Sequence, residues 1–106
     1  MAGHHDTVSA LATRIAGSSD LYQSHGRGPL NTINFVTSHD GFTLYDLVSY
    51  EDKHNIDNGE NNRDGDNHNL SWNSGCEGSP CSVDTQQLRF RRIRTFAALL
   101  FLSQGI

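Results

Sequence analysis

The stretch TINFVTSHDG, residues 32–41, runs a short apolar segment straight into an adjacent histidine and aspartate. Ile33, Phe35 and Val36 favour β structure without alternating cleanly with polar residues, which predicts a strand covered on both faces, as in parallel sheets. His39 and Asp40 then fall just beyond its carboxyl end, where α/β barrels and open sheets place their functional groups. Spacing alone leaves two readings open: a catalytic pair at the mouth of a sheet, or a polar turn closing a strand.

Upstream, Asp6 is placed to cap a helix in which Val8, Leu11, Ala12 and Ile15 follow the i, i+3, i+4, i+7 rule, with Gly17 to end it. Residues 17–31 are rich in Gly and Ser and contain Pro29 and Asn31, so they read as a connection, with Leu21, Tyr22 and Leu30 as anchors. Downstream, Thr43 and Asp46 form an N-terminal capping signature, and Leu44, Leu47 and Val48 continue it as a short helix to about Tyr50. From His54 to Gly78 the composition turns to Asn, Asp and Gly around Trp72, which predicts a long loop. A last helix begins at Asp84 and Gln87, with Leu88, Ile93, Phe96, Ala97 and Leu100 on one face. Its end, Ala98 to Leu102, is apolar all round, as in a helix end buried on several sides, and Gly105 is placed to stop it. Arg89, Arg91, Arg92 and Arg94 read as its solvated face in a net-acidic chain.

The order helix, parallel strand, short helix, long loop, helix belongs to an α/β protein. A single parallel strand leaves its ladder groups unpaired. Either copies of the chain complete the sheet, by self-association through strand 32–37, or the chain is a slice of something larger.

A length of 106 residues corresponds to one small domain. Residues 1–5 (MAGHH) resemble tag sequence, leaving 6–106 as the domain. Eight Lys and Arg against twelve Asp and Glu give a net charge of −4, which argues against nucleic acid or an anionic membrane surface as a partner. No apolar run approaches the roughly 18 residues that span a bilayer, and the N-terminus lacks the order of a secretion signal, so the expected location is the cytoplasm. Cys76 and Cys81, in CEGSPC, are separated by four residues including Gly78 and Pro80 that could close a small disulfide loop, but without signs of export free thiols are the expected state. Zinc would need two more ligands at recognisable spacing. A calcium-loop register with Gly65 in sixth place puts Ser71 where a bidentate Glu is required. No metal or cofactor is expected.

A carboxylate at Asp40 would stabilise developing positive charge, and His39 would hydrogen-bond a sugar or peptide oxygen. Glycoside hydrolysis requires two carboxyl groups, and no serine sits in a G-x-S-x-G elbow for acyl transfer. Trp72, amid Asn and Asp with Arg63 nearby, has the composition of a carbohydrate surface: a flat ring for a sugar face, planar groups for hydroxyls.

Taken together, INFVTSHDGFTLYDLVSY, the downstream HN…NGENNRDG…N-x-SWN-x-G-x-EG and the final LRxRRxRTFAALLFLSQG resemble the glycogen-debranching and isoamylase branch of the α-amylase superfamily, glycoside hydrolase family 13. The resemblance runs from about Asp6 to Ile106. It implies a slice of a (β/α)₈ barrel, not a closed barrel by itself, from an enzyme that hydrolyses α-1,6 branch linkages of glycogen or amylopectin with retention. In that family FVTSHDG resembles the end of the seventh barrel strand, so Asp40 matches the carboxylate that stabilises the transition state and His39 the histidine on the same sugar. Ser38 stands where many amylases carry asparagine, a departure that fits the debranching branch. The first helix resembles the one before strand seven and the last the one leading to strand eight, which would begin at Ile106. The nucleophilic Asp and the acid Glu lie on earlier strands of the family, so this piece is expected to be inactive alone. The alternative is a fragment that binds maltooligosaccharide, or associates, without catalysis.

Overall fold

A computed structural model describes residues 7–106. Asp6, expected as a helix cap, and the tag-like residues 1–5 lie outside the described residues. Among these there are three α-helices, α1 Val8–Ile15, α2 Ser19–Tyr22 and α3 Val83–Leu102, joined by loops and short 3₁₀ turns, and no strand. The chain divides into two compact units, Thr37–Thr95 and the residues up to Val36 with Phe96–Ile106.

In the second unit α1 forms over the predicted residues and stops at Ala16, with Gly17 at a φ of 91° turning the chain out. The expected connection is partly helical: α2 and 3₁₀ turns at Gln23–His25 and Pro29–Asn31 occupy it. Leu21 and Leu30, expected as anchors, are exposed. Arg14 holds Asp20 through two hydrogen bonds, of 3.0 and 2.7 Å.

The predicted strand 32–37 does not form. Asn34 donates its N–H to the Ile106 carbonyl at 2.7 Å, and Ile106 donates to the Thr32 carbonyl at 2.8 Å. This is the exchange of a parallel pair around Ile33, but a ladder needs partners along its length, and these two bonds are its whole extent. Ile33 and Phe35 are 73% and 71% exposed, so the segment is not covered on both faces. Self-association through a strand edge here loses its basis with the strand. The apolar end of α3 also departs from expectation, with Phe101 and Leu102 83% and 78% exposed.

In the Thr37–Thr95 unit, Thr43 caps as its spacing predicts, its hydroxyl accepting the Asp46 N–H at 3.1 Å, and the following turn is 3₁₀ over Asp46–Val48. Phe42 and Val48 are the buried apolar side chains. Much of the remaining interior is polar, because Arg89 is fully buried and Arg92 nearly so. Both were expected on a solvated face. Arg89 donates to the carbonyls of Asn73, Cys76 and Gly78 and lies 5.8 Å from the Tyr45 ring centroid. Arg92 donates to the Trp72 carbonyl and to the hydroxyls of Ser71 and Ser74. A loop wrapped around five-donor guanidinium forks satisfies carbonyls that a loop cannot pair internally.

Cys76 and Cys81, expected as free thiols, are joined in a disulfide, their Cα atoms 6.0 Å apart. The loop between them turns back on itself through Gly78, whose N–H is held by the Ser49 carbonyl at 2.8 Å, and this return brings the two sulfurs together.

Candidate functional site

The turn that carries His39 and Asp40 is closed from both sides. Gly41 donates to the Ser38 carbonyl at 3.0 Å, and the Thr37 hydroxyl donates to the Phe42 carbonyl at 2.6 Å. That second bond brings the threonine oxygen so near that a Cβ on residue 41 would lie 2.7 Å from it, so the position admits only glycine without a shift. His39 Nε2 and Asp40 Oδ2 are 3.1 Å apart, and the two side chains are 89% and 70% exposed. A carboxylate and an imidazole presented together on a rigid turn can receive a polar ligand without rearrangement.

The long loop holds this turn from below. Asp66 donates its N–H to the Asp40 carbonyl at 2.6 Å. Beside it Gly65, at a φ of 76°, packs so that a Cβ would stand 3.2 Å from the same carbonyl oxygen. The loop's order comes from side-chain amides in place of a regular ladder: Asn55 N–H to Asn62 Oδ1 at 2.7 Å, Asn58 Nδ2 to Asp64 Oδ2 at 3.0 Å, and Asn69 Nδ2 to the Tyr50 carbonyl at 2.7 Å. Gly41, Phe42, Thr43, Asp46, Lys53, His54, Asn55 and Asp66 line an open hollow next to the turn. His54 stacks on Tyr50, their ring centroids 3.5 Å apart.

Of the four residues singled out from sequence, His39 and Asp40 are in contact. Arg63 lies on the loop that holds their turn, its Nε donating to the Glu60 carbonyl at 3.3 Å. Trp72 is held against α3: the Arg92 guanidinium lies 4.7 Å from its ring centroid, and the residue is 38% exposed. Burial pushes the Arg92 pKa down, with Glu51 opposing and Arg89 adding to the shift. The sequence does not single out Lys53 and Asp66, and it points to Gly65 only through the failed calcium-loop register. The signal was there in the DGD run, where a glycine between two aspartates marks a tight turn.

No helix among the described residues is long and apolar enough to cross a membrane. No family model matches the chain. Individual relatives do. It is 56% identical over 103 residues to the glycogen operon protein GlgX homolog of Mycobacterium tuberculosis, covering 97% of this chain and 14% of that protein. To the chloroplastic isoamylase SU1 of Zea mays it is 55% identical over 99 residues, 93% of this chain and 12% of the relative. To the glycogen debranching enzyme of Erwinia tasmaniensis it is 51% identical over 95 residues, 90% of this chain and 14% of the relative. The chain therefore spans about one seventh or less of the length of these curated relatives. Aligned at this identity over nearly its whole length, including the His39–Asp40 turn and the asparagine-rich loop, the chain belongs to the glycogen debranching enzyme and isoamylase family.

Proposed function

We propose that this chain supplies the transition-state carboxylate of a hydrolase acting on α-1,6 branch linkages in glycogen or amylopectin. The observation that carries this is the exposed His39–Asp40 pair, 3.1 Å apart on a turn closed by Gly41, in a chain more than half identical to debranching enzymes and isoamylases. Cleavage of a glycosidic bond passes through an oxocarbenium-like state with positive charge at the ring oxygen and anomeric carbon. The Asp40 carboxylate stabilises that charge, and His39 hydrogen-bonds a hydroxyl of the same glucosyl unit, so that the pair binds the distorted sugar more strongly than the relaxed one. An acid to protonate the leaving oxygen and a nucleophile on the anomeric carbon are also required, and both would come from the rest of a longer polypeptide. The parallel hydrogen-bond exchange of Thr32 and Asn34 with Ile106 supports the placement of 32–37 as one strand of a (β/α)₈ barrel in that setting.

The chain alone is then inactive. Incubation with amylopectin, followed by an assay of reducing ends, should show no release. Turnover that Asp40→Ala abolishes would overturn the assignment of the acid and nucleophile to other segments.

A second reading, glucan binding without catalysis, is favoured by Trp72: Arg92 lies over its ring, yet the ring keeps enough exposure to meet a sugar. Titration with maltooligosaccharide followed by tryptophan emission tests it, and the absence of a saturable change counts against it.

A further inference from the structure

Every polar group of Lys53 is engaged with the asparagine-rich loop. Its N–H donates to Asn67 Oδ1 at 2.6 Å, and its carbonyl accepts from Asn62 Nδ2 at 3.2 Å. Its ammonium donates to the carbonyls of Gly65, at 2.8 Å, and Arg63, at 3.2 Å. The residue after Gly65 is Asp66, whose N–H holds the Asp40 carbonyl. We infer that Lys53 is a positioning residue: its ammonium sets the 63–66 turn so that the Asp66 N–H fixes the backbone of Asp40, and with it the direction of the carboxylate.

The physical case is one of charge and geometry. A loop without a ladder has carbonyls to satisfy, and an ammonium that bridges two of them two residues apart bends the chain into a fixed turn. Hydrogen bonds from a charged donor are stronger than neutral ones, so this contact ranks above the amide contacts around it. Gly65, which carries one of the two bridged carbonyls and lies tight against the Asp40 carbonyl, lets the turn approach that closely. Loop and turn therefore act as one unit, and the rigid placement that a transition-state carboxylate needs comes from a cation held by the loop's own carbonyls.

The assignment of the carboxylate's role rests on the function proposed above, whereas the mechanical link from Lys53 to Asp40 does not. Both are tested by comparing the wild-type chain with Lys53→Met and Lys53→Arg, using amide resonances, hydrogen exchange and maltoheptaose affinity. In Lys53→Met the Asp66 and Gly41 amide resonances should move, and Asp66 exchange should accelerate by about tenfold, while the Trp72 indole resonance stays in place. Lys53→Arg keeps a cationic donor and should restore most of the Asp66 protection. Unchanged Asp66 exchange in Lys53→Met, or loss of the whole spectrum in both variants, would overturn the link. If wild-type chain binds maltoheptaose and Asp40→Ala weakens it, Lys53→Met should weaken it by about tenfold as well, and full retention of affinity refutes the positioning role. If the wild-type chain binds no maltoheptaose, the functional reading fails while the exchange data still decide the link.

Discussion

The Arg92 guanidinium donates to the Trp72 carbonyl at 2.6 Å while lying 4.7 Å from the centroid of the same residue's ring. One side chain thus fixes the backbone and covers a face of the indole, and its other donors reach the hydroxyls of Ser71 and Ser74. Arg92→Met leaves the Trp72 carbonyl without this donor and should destabilise the chain by about 2 kcal/mol in urea unfolding, with tryptophan emission shifted to longer wavelength. Arg92→Lys should recover little, since one ammonium cannot span acceptors arranged for a planar fork. An unchanged unfolding midpoint in the Met variant would contradict this.

Arg89 and the disulfide hold the same loop. The guanidinium takes the carbonyls of Cys76 and Gly78, which lie within the segment that the Cys76–Cys81 bridge closes. Reduction should lower stability by about 2 kcal/mol, the chain-entropy value for a loop this short, and Arg89→Met by about 3 kcal/mol through its unpaired buried carbonyls. Because both act on one segment, the combined loss should fall short of the sum. Denaturant titrations of the four states measure the coupling, and strict additivity would show that the two restraints are independent.

The Gly41 contact predicts a rescue. Gly41→Ala drives a methyl to 2.7 Å from Thr37 Oγ1 and should cost about 1–2 kcal/mol in thermal unfolding. Adding Thr37→Ala removes the clashing hydroxyl, along with its bond to the Phe42 carbonyl, and should return part of the loss. A double variant less stable than Gly41→Ala alone would place the strain elsewhere.

The Arg14–Asp20 pair gives a pH dependence of known sign. Hydrogen bonding from Arg14 holds the Asp20 carboxyl below the usual carboxylate range, so its favourable contribution is complete above the ordinary carboxylate pKa and disappears as pH falls through the lowered one. A carboxyl-carbon titration should place the Asp20 midpoint lower in wild type than in Arg14→Gln. Coincident midpoints would mean that the pair does not persist in solution.

Local signals in the sequence carried α1, the Thr43 cap, the extent of α3 and the His39–Asp40 turn, because each depends on residues within a few positions of one another. The strand expected at 32–37 does not form here because its apolar residues specify a place in a sheet that these residues cannot complete, and pairing with Ile106 stops after two hydrogen bonds. Arg89 and Arg92 looked like Arg91 and Arg94, since composition does not show which guanidinium will find a cage of carbonyls. Their spacing did hold a clue. Arg89, Arg92 and Phe96 fall at i, i+3 and i+7, so the two cations lie on an inward stripe of α3, whose apolar members Leu88, Ile93 and Phe96 are half-buried as expected. Compartment favoured free thiols over the small disulfide loop that the CEGSPC spacing also allows, and the disulfide is the state the chain adopts. Of the candidate site, the pair itself was legible, while the loop that holds it depends on contacts from Lys53 and Asp66 that no short motif announces.

A loop ordered by asparagine amides also has a chemical lifetime. Asn58 precedes Gly59 and donates its amide to the Asp64 carboxylate at 3.0 Å, and Asn73 does the same to Glu77 at 3.0 Å. Asparagine is among the heat-labile residues, and hydrolysis of either amide replaces a donor with a second carboxylate facing the first. Each such event turns an attraction into a repulsion. Ageing of the purified protein should therefore register first as loosening of this loop, with the charge becoming more negative before the helices are affected.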